Sequence, residues 1–145
     1  MRLWDSGQQL PMSHQIPAAG ADVIVSLAPR PEAARLARRA LEHGGMGEDI
    51  GHAVNLLATE VVANAVRHAG LTDGDQIVFF AHLEPDFARV EVADGGRGFD
   101  PQAVEFGFGL RLVDKLAGGW GVDLSRGCRV WFEVDRRTRR FRRAV

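Results

Sequence analysis

The runs of β-branched and aromatic residues in this sequence come in adjacent pairs instead of alternating with helices. Two of these runs lie on either side of Glu84, Pro85 and Asp86, and two more enclose a turn at residues 125–127. Strands joined by short turns pair antiparallel, whereas a parallel pair needs a long, usually helical, crossover. The order therefore favours an α+β fold, a two-layer sandwich in which helices cover one face of a mostly antiparallel mixed sheet.

Hydrophobic periodicity locates the individual elements. Strands are expected at residues 23–27, 76–83, 88–93, 120–124 and 129–134, and helices at 31–43, 49–69 and 110–116. In the first helix, the expected buried stripe is Ala34, Leu36, Ala37, Ala40 and Leu41. In the long second helix, the apolar residues that recur at steps of three and four are Ile50, Ala53, Val54, Leu57, Val61 and Ala65.

Length and composition are those of one globular domain. The chain has 145 residues, of which 46% are hydrophobic and 26% charged, and its net charge is −1; this balance predicts neither a nucleic-acid binder nor an acidic tail. We expect a loose N-terminal arm at 1–20 with room for one edge strand, a globular domain at 21–135 and an arginine-rich tail at 136–145. Such a tail is typically solvated, and a contact with an acidic partner or nucleic acid is the alternative.

The sequence carries no sign of export. Cys128 is the single cysteine, so neither an internal disulfide nor a cysteine zinc cluster is predicted, which fits a reducing compartment. Residues 1–20 lack the apolar core of a signal peptide, and no run reaches the ~18 apolar residues of a membrane span. We therefore expect a cytoplasmic protein without membrane contact.

Four polar residues lie together on the long helix. Glu60 and Asn64 are four residues apart and share a face beside the apolar stripe, and Arg67 and His68 extend that face by one turn. An amide oxygen suits Mg²⁺, a glutamate can orient or deprotonate a nucleophile, and an arginine can reach phosphate oxygens. Taken alone, such a pair more often marks a solvated helix edge.

Glycines surround the end of the third expected strand and the start of the last helix. The strand is expected to end near Asp94, whose carboxylate can accept a hydrogen bond from an exocyclic amine, and glycines follow at 95, 96 and 98. Glycine lets the backbone approach a ligand closely. Gly107 and Gly109 precede the helix, where backbone N–H groups favour phosphate. A glycine-rich hairpin turn and an ordinary loop-to-helix junction are the alternatives, and neither the dinucleotide-binding nor the Walker A spacing is present.

In this order and spacing, the three elements resemble the sequence boxes of the GHKL ATPase/kinase superfamily. The similar segments are Glu60-x-x-x-Asn64-Ala65-x-x-His68 for the N box, Asp94-x-Gly96-x-Gly98-Phe99 for the G1 box and Gly107-x-Gly109-Leu110 for the G2 box. The resemblance covers residues 21–135 and implies the Bergerat fold, which is the sandwich expected from the strand order. Residues 59–68 are most similar to the anti-sigma-factor serine kinases. Gly121-Val122 after Trp120, and Val130-Trp131-Phe132-Glu133, are similar to the small bacterial histidine-kinase-like ATPases of that group.

The resemblance implies ATP and Mg²⁺ as ligands. It implies that Asn64 holds Mg²⁺, that Asp94 recognises adenine and that Glu60 is the catalytic general base. The other residues expected to bind ATP are Arg67, His68, Gly96, Gly98, Phe99, Gly107, Phe108, Gly109 and Leu110.

The same resemblance implies a serine/threonine protein kinase that phosphorylates a small antagonist protein and regulates transcription. A sigma factor and that antagonist are the expected partners, a homodimer is consistent with the resemblance, and nucleic acid is not an expected partner. Two departures favour a non-catalytic nucleotide-sensing module as the alternative: residues 100–106 make a short ATP lid, and Cys128 stands where many relatives have threonine. A detached histidine-kinase-like ATPase domain is a further alternative, although the sequence shows no helix pair with a phospho-acceptor histidine.

Overall fold

The computed structural model describes residues 21–68, 75–94, 108–125 and 127–137. The elements within these ranges, in chain order, are β1 (Ala21–Leu27), α1 (Ala33–Glu42), α2 (Glu48–His68), β2 (Ile77–Glu84), β3 (Phe87–Asp94), α3 (Phe108–Leu116), β4 (Gly119–Asp123) and β5 (Cys128–Asp135). This is the order expected from the sequence, and the α+β assignment is confirmed. The element ends differ by one or two residues from those expected. The arm at 1–20 and residues 138–145 of the tail lie outside the described residues.

The strands form one open antiparallel sheet. Their spatial order is β1-β2-β3-β5-β4, and each of the four pairings between described strands is antiparallel. Within the described residues the sheet is antiparallel throughout, which agrees with the mostly antiparallel sheet expected from the sequence. Because β5 lies between β3 and β4, the last of the described strands joins the two halves of the sheet. Asp94 at the end of β3 consequently lies opposite Cys128 at the start of β5.

The helices pack on one face of this sheet and form the hydrophobic core with it. Alternation along each strand turns every second side chain toward the helices, as with Val130, Phe132 and Val134 of β5. From α2, the core receives Ile50, Val54, Leu57, Ala58, Val61, Val62 and Ala65. Burying a side chain of this kind contributes about 1.5–3 kcal/mol relative to leaving it exposed. The expected apolar stripe of α2 is thus confirmed.

The expected stripe of α1 was partly wrong. Ala33, Ala37 and Leu41 are the buried residues of this helix, whereas Leu36 is 40% exposed. The buried positions are four residues apart, and Leu36 lies one position before Ala37, about 100° around the helix axis. The short helix therefore contacts the core through a narrower stripe than its apolar residues suggest.

The opposite face of the sheet carries charged groups in pairs. The Arg89 guanidinium donates to Glu91 at 2.9 Å and to Glu133 at 2.8 Å, and it lies 4.3 Å from the centre of the Trp131 ring. Hydrogen bonds from the backbone and hydroxyl of Ser125, with a further one from an arginine of β5, lower the pKa of Asp123 to about 2. We refer to this side as the helix-free face, because the three helices of the described ranges, α1, α2 and α3, contribute to the core on the other side.

None of the helices in the described ranges has the length and apolar character needed to cross a membrane.

The connection between α1 and α2 packs on the β2–β3 turn through Gly47. Its N–H donates to the carbonyl of Pro85 at 3.0 Å, and a Cβ added to Gly47 would lie 2.5 Å from that same oxygen. We predict that Gly47→Ala lowers the free energy of unfolding by about 1–3 kcal/mol, because the backbone must shift to accept the methyl group. Gly51→Ala in α2 is the matched control, since nothing lies within 4 Å of its added Cβ.

The control is expected to be neutral or to stabilise by up to about 1 kcal/mol, as alanine is the better helix former. Urea denaturation of both variants measures the difference. Equal stabilities would contradict the close packing at Pro85.

Candidate functional site

Three site residues meet at one end of the sheet. Asp94 is the last residue of β3 and Cys128 the first of β5, and the antiparallel register places them opposite each other. The helix α2 packs against both strands, and its last two turns carry Asn64. An amide, a carboxylate and a thiol, which are far apart in the sequence, are thereby brought to the same place.

Asn64, Asp94 and Cys128 line a small pocket between α2 and the sheet. The remaining lining residues among those described are Val61, Ala65, Val92 and Val130, and the cavity volume is about 10 Å³, close to what one water molecule needs. Asn64 and Asp94 are each only 5% exposed. Apolar walls with a few placed polar groups are the usual composition of a small-molecule site.

The amide of Asn64 is held loosely on its polar side. Its Oδ1 accepts a hydrogen bond from Nη2 of Arg67 at 3.5 Å, which is long for such a bond. The Arg67 side chain is exposed. A bond of that length is weak, so the amide oxygen can exchange it for a cation or a ligand at little cost.

Glu60 lies one turn before Asn64 on α2 and is partly exposed, but it is not among the residues that line the pocket. Sequence reasoning placed the two side chains on one helical face. In the structure, Asn64 and Asp94 line the same pocket, whereas Glu60 lies outside the pocket lining and is partly exposed to solvent. Its carboxylate is thus available to a group that approaches from outside the pocket.

The other expected site residues are described in part or not at all. Gly96, Gly98, Phe99 and Gly107 lie in 95–107, outside the described residues. Phe108, Gly109 and Leu110 form the first turn of α3, and His68 is the last residue of α2. The side chains of these helix-end residues are likewise outside what the structure describes. The helix α3 begins directly after Gly107, two residues earlier than expected.

Sequence reasoning missed most of the apolar lining. Val61 and Ala65 were assigned only to the core stripe, and Val92 and Val130 only to strands. Cys128 was noted as a substitution, but its place opposite Asp94 was not foreseen. A signal did exist: Val92 and Asp94 are two residues apart and so share a face of β3, which extends the core stripe up to the carboxylate.

The described residues contain no group of three or more His, Cys, Asp or Glu side chains that could hold a metal ion. A preformed cage such as a zinc or calcium site is therefore not seen in this part of the chain. Mg²⁺ commonly takes few protein ligands and completes its shell with water and phosphate oxygens. A single protein ligand, the amide oxygen of Asn64, is consistent with this coordination of Mg²⁺.

Comparison with known proteins found a matching family and a similar fold. The family model described as "Histidine kinase-like ATPase domain" matches residues 26–137. Among solved structures, the chain is similar to the crystal structure of the RsbU and RsbW domains of Rv1364c from Mycobacterium tuberculosis, with a TM-score of 0.59 and 21% sequence identity. The match covers 79% of this chain and 32% of that chain, so this chain spans about a third of the other's length. At this identity the likeness shows a shared fold. No curated protein matches the chain.

Proposed function

The chain belongs to the histidine kinase-like ATPase family, and from that premise we propose that it binds ATP with Mg²⁺ in the pocket between α2 and the β3–β5 end of the sheet. One observation carries the proposal: the buried Asn64 and Asp94 share a pocket whose other described walls are apolar or, at Cys128, a thiol. The family match supports a nucleotide as the ligand. The two polar groups supply the specificity, and the apolar residues supply the contact surface for a base.

Asp94 is the group proposed to recognise adenine. Its carboxylate accepts hydrogen bonds only, so it pairs with the exocyclic amino group of adenine and opposes the carbonyl oxygen that guanine has at the same position. Because the side chain is 5% exposed, water screens this preference little. The site should therefore favour ATP over GTP.

Asn64 and Arg67 are the groups proposed to act at the phosphates. The Asn64 amide oxygen is a hard ligand suited to Mg²⁺. Arg67, exposed and one turn along α2, releases a weak hydrogen bond to Asn64 when it turns to a phosphate oxygen. The first turn of α3 follows Gly107 and would add backbone N–H donors.

We further propose that the chain is a serine/threonine protein kinase acting on a small antagonist protein, with a sigma factor as the regulated partner. Glu60 supports this, because a partly exposed carboxylate one turn from Asn64 can accept the proton of a hydroxyl presented by another protein. Phosphoryl transfer otherwise needs mainly positioning and charge neutralisation. The sequence resemblance of residues 59–68 to anti-sigma-factor kinases supports this substrate class.

A non-catalytic nucleotide-sensing module is the second candidate. It is favoured by two observations: Glu60 does not line the pocket, and the pocket holds the Cys128 thiol where a hydroxyl would be the stronger hydrogen-bonding group. In this case the nucleotide would change partner affinity without being consumed.

Calorimetry of ATP binding tests the site. We predict that Asp94→Asn weakens ATP binding about 10- to 100-fold, since a hydrogen bond to a charged group contributes about 1.5–3 kcal/mol, and that it reduces the preference over GTP. Asn64→Ala should remove the dependence of binding on Mg²⁺. Asp49→Asn, at an exposed position in the first turn of α2, is the control and should bind as the wild type does. Unchanged ATP binding in both site variants would refute the assignment.

Transfer of labelled phosphate to candidate antagonist proteins tests the kinase activity. We predict serine or threonine labelling by the wild type and a rate reduced about 10²- to 10⁴-fold in Glu60→Gln, as is typical when a general base is lost. Because Glu60 lies outside the pocket lining, the variant should keep its ATP affinity. Intact ATP binding with no labelling of any candidate would overturn the kinase and favour the sensing module.

A further inference from the structure

A histidine on the helix-free face has a carboxylate against each of its ring nitrogens. His82 belongs to β2, and its Nδ1 lies 2.8 Å from Oδ1 of Asp22 on β1. Its Nε2 lies 2.9 Å from Oε2 of Glu84 on its own strand. Both distances are those of hydrogen bonds that involve a charged partner. We refer to Asp22, His82 and Glu84 as the carboxylate–histidine cluster.

The register of the first two strands brings this cluster together. Asp22 is the residue that pairs with His82 across β1 and β2. Glu84 is two residues further along β2, so its side chain stands on the same face as that of His82. A slip of β1 by one residue would turn Asp22 to the helix side. The cluster is therefore complete only in this pairing, and its hydrogen bonds stabilise the pairing in return.

The two hydrogen bonds need more protons than a neutral histidine carries. An ionised carboxylate only accepts hydrogen bonds, and a neutral imidazole has one N–H group and one acceptor nitrogen. With both carboxylates ionised, a neutral ring donates to one of them and turns a lone pair toward the other. Both bonds form when the cluster holds one additional proton, either on the ring or on a carboxyl group. That proton also makes the net charge of the cluster one unit less negative.

The charged group that faces His82 from the third strand is already paired. Arg89 of β3 lies across from His82 in the sheet. Its guanidinium donates to Glu91 at 2.9 Å and to Glu133 at 2.8 Å. The remaining described neighbour on β3 is the uncharged ring of Phe87, with 6.4 Å between the two ring centres. An arginine held by two carboxylates offers little positive charge to the next strand, so it does not replace the proton.

One more cation lies near the cluster, just after β5. Arg137 donates to Asp135 at 2.9 Å, and this hydrogen bond is the main cause of the raised pKa of Arg137. The charges of Glu84 and Asp86 raise that pKa less. Arg137 therefore interacts with Glu84 only through space, and its own hydrogen bonds go to Asp135.

The cluster lies far from the pocket that is proposed to bind the nucleotide. Asp94 pairs with Ile77 at one end of β2, and His82 is five residues further along that strand. At about 3.3 Å per residue, the separation along the sheet is about 17 Å. The cluster instead joins β1, an outer strand of the described sheet, to its neighbour β2.

We propose that Asp22, His82 and Glu84 form a proton-binding site that holds β1 on the sheet. With the additional proton, the imidazole ring is hydrogen-bonded to both carboxylates and bridges the two strands. Without it, one carboxylate faces a lone pair, and β1 is held by its backbone hydrogen bonds and core contacts. Because α1 is the next element after β1, the proton also affects how firmly the first helix is attached.

The direction of the pH dependence follows from the number of protons bound. The paired cluster retains a proton that the separated side chains of the unfolded chain release as histidine becomes neutral, which ordinarily occurs between pH 5 and 8. The folded state then binds more protons than the unfolded state. Stability is therefore highest at the acidic end of this range and falls as the pH rises and the cluster loses its proton.

Urea denaturation of the whole chain at about pH 6 and about pH 8.5 tests the proposal. For the wild type, we expect the equilibrium constant of unfolding to rise about tenfold or more between the two pH values, since a hydrogen bond to a charged group is lost. His52→Gln is the matched control, because His52 is an exposed histidine of α2. It should keep the wild-type pH profile.

Asp22→Asn distinguishes a proton-binding site from a histidine with a merely structural role. The amide of asparagine can donate to the bare ring nitrogen, so a neutral ring keeps both hydrogen bonds and no additional proton is needed. We expect the rise in the unfolding constant to be at least about threefold smaller in this variant than in the wild type. Glu84→Gln makes the same exchange on the other side of the ring and is the second variant.

Identical pH profiles of the wild type and both amide variants would overturn the proposal. A wild-type stability that does not fall between the two pH values would do so as well. None of the three cluster residues lines the pocket proposed for ATP, and the measurement needs no nucleotide. Its failure is therefore distinguishable from a failure of the proposed ATP site.

Discussion

The antiparallel pairing of β3 with β5 is the interaction on which the rest of the structure depends. It joins the β1-β2-β3 half of the sheet to the β5-β4 hairpin, and its register sets Asp94 opposite Cys128. A slip of one residue would turn Asp94 or Cys128 to the helix-free face, because side chains alternate along a strand. The register is held by apolar positions such as Val92 and Phe132, which must face the helices. The packing that forms the core therefore also directs the Asp94 carboxylate into the pocket.

The long helix α2 then links that core to the site. Val61 and Ala65 belong to the core and also line the pocket, so Asn64 between them is held near Asp94 by ordinary hydrophobic packing. Glu60 lies four residues before Asn64, which is about 6 Å along the helix axis, and it does not line the pocket. On the proposed function, nucleotide binding and phosphoryl transfer would therefore depend on different positions of the same helix.

Much of the fold followed from local sequence pattern. The stripe of α2 and the paired strands were predictable, because periods of 3.6 and 2 residues are set by the backbone itself. The exposure of Leu36 could not be predicted, because α1 is short and several of its residues are apolar enough to face the core. For the candidate site, the sequence order of Asn64 and Asp94 suggested a shared pocket, whereas the position of Cys128 required knowing that β5 inserts beside β3.

The burial of the helix-free face could not be predicted either. Arg89, Glu91 and Glu133 alternate with apolar residues along their strands, which is the pattern of a solvent-exposed face. Glu91 is nonetheless 1% exposed. A local pattern reports which side chains share a face, and it does not report how exposed each of them is in the folded chain.

The central claim is that the pocket between Asn64, Asp94 and Cys128 holds the nucleotide, and Cys128 allows a direct measurement of it. This residue is the only cysteine, is 4% exposed and lines the pocket, so the rate at which a thiol reagent modifies it reports access to the site. Saturating ATP with Mg²⁺ is predicted to slow that reaction at least about tenfold, and Asp94→Asn should shift this protection to nucleotide concentrations about 10- to 100-fold higher. A rate unchanged by ATP at concentrations shown to bind would place the nucleotide elsewhere and contradict the account.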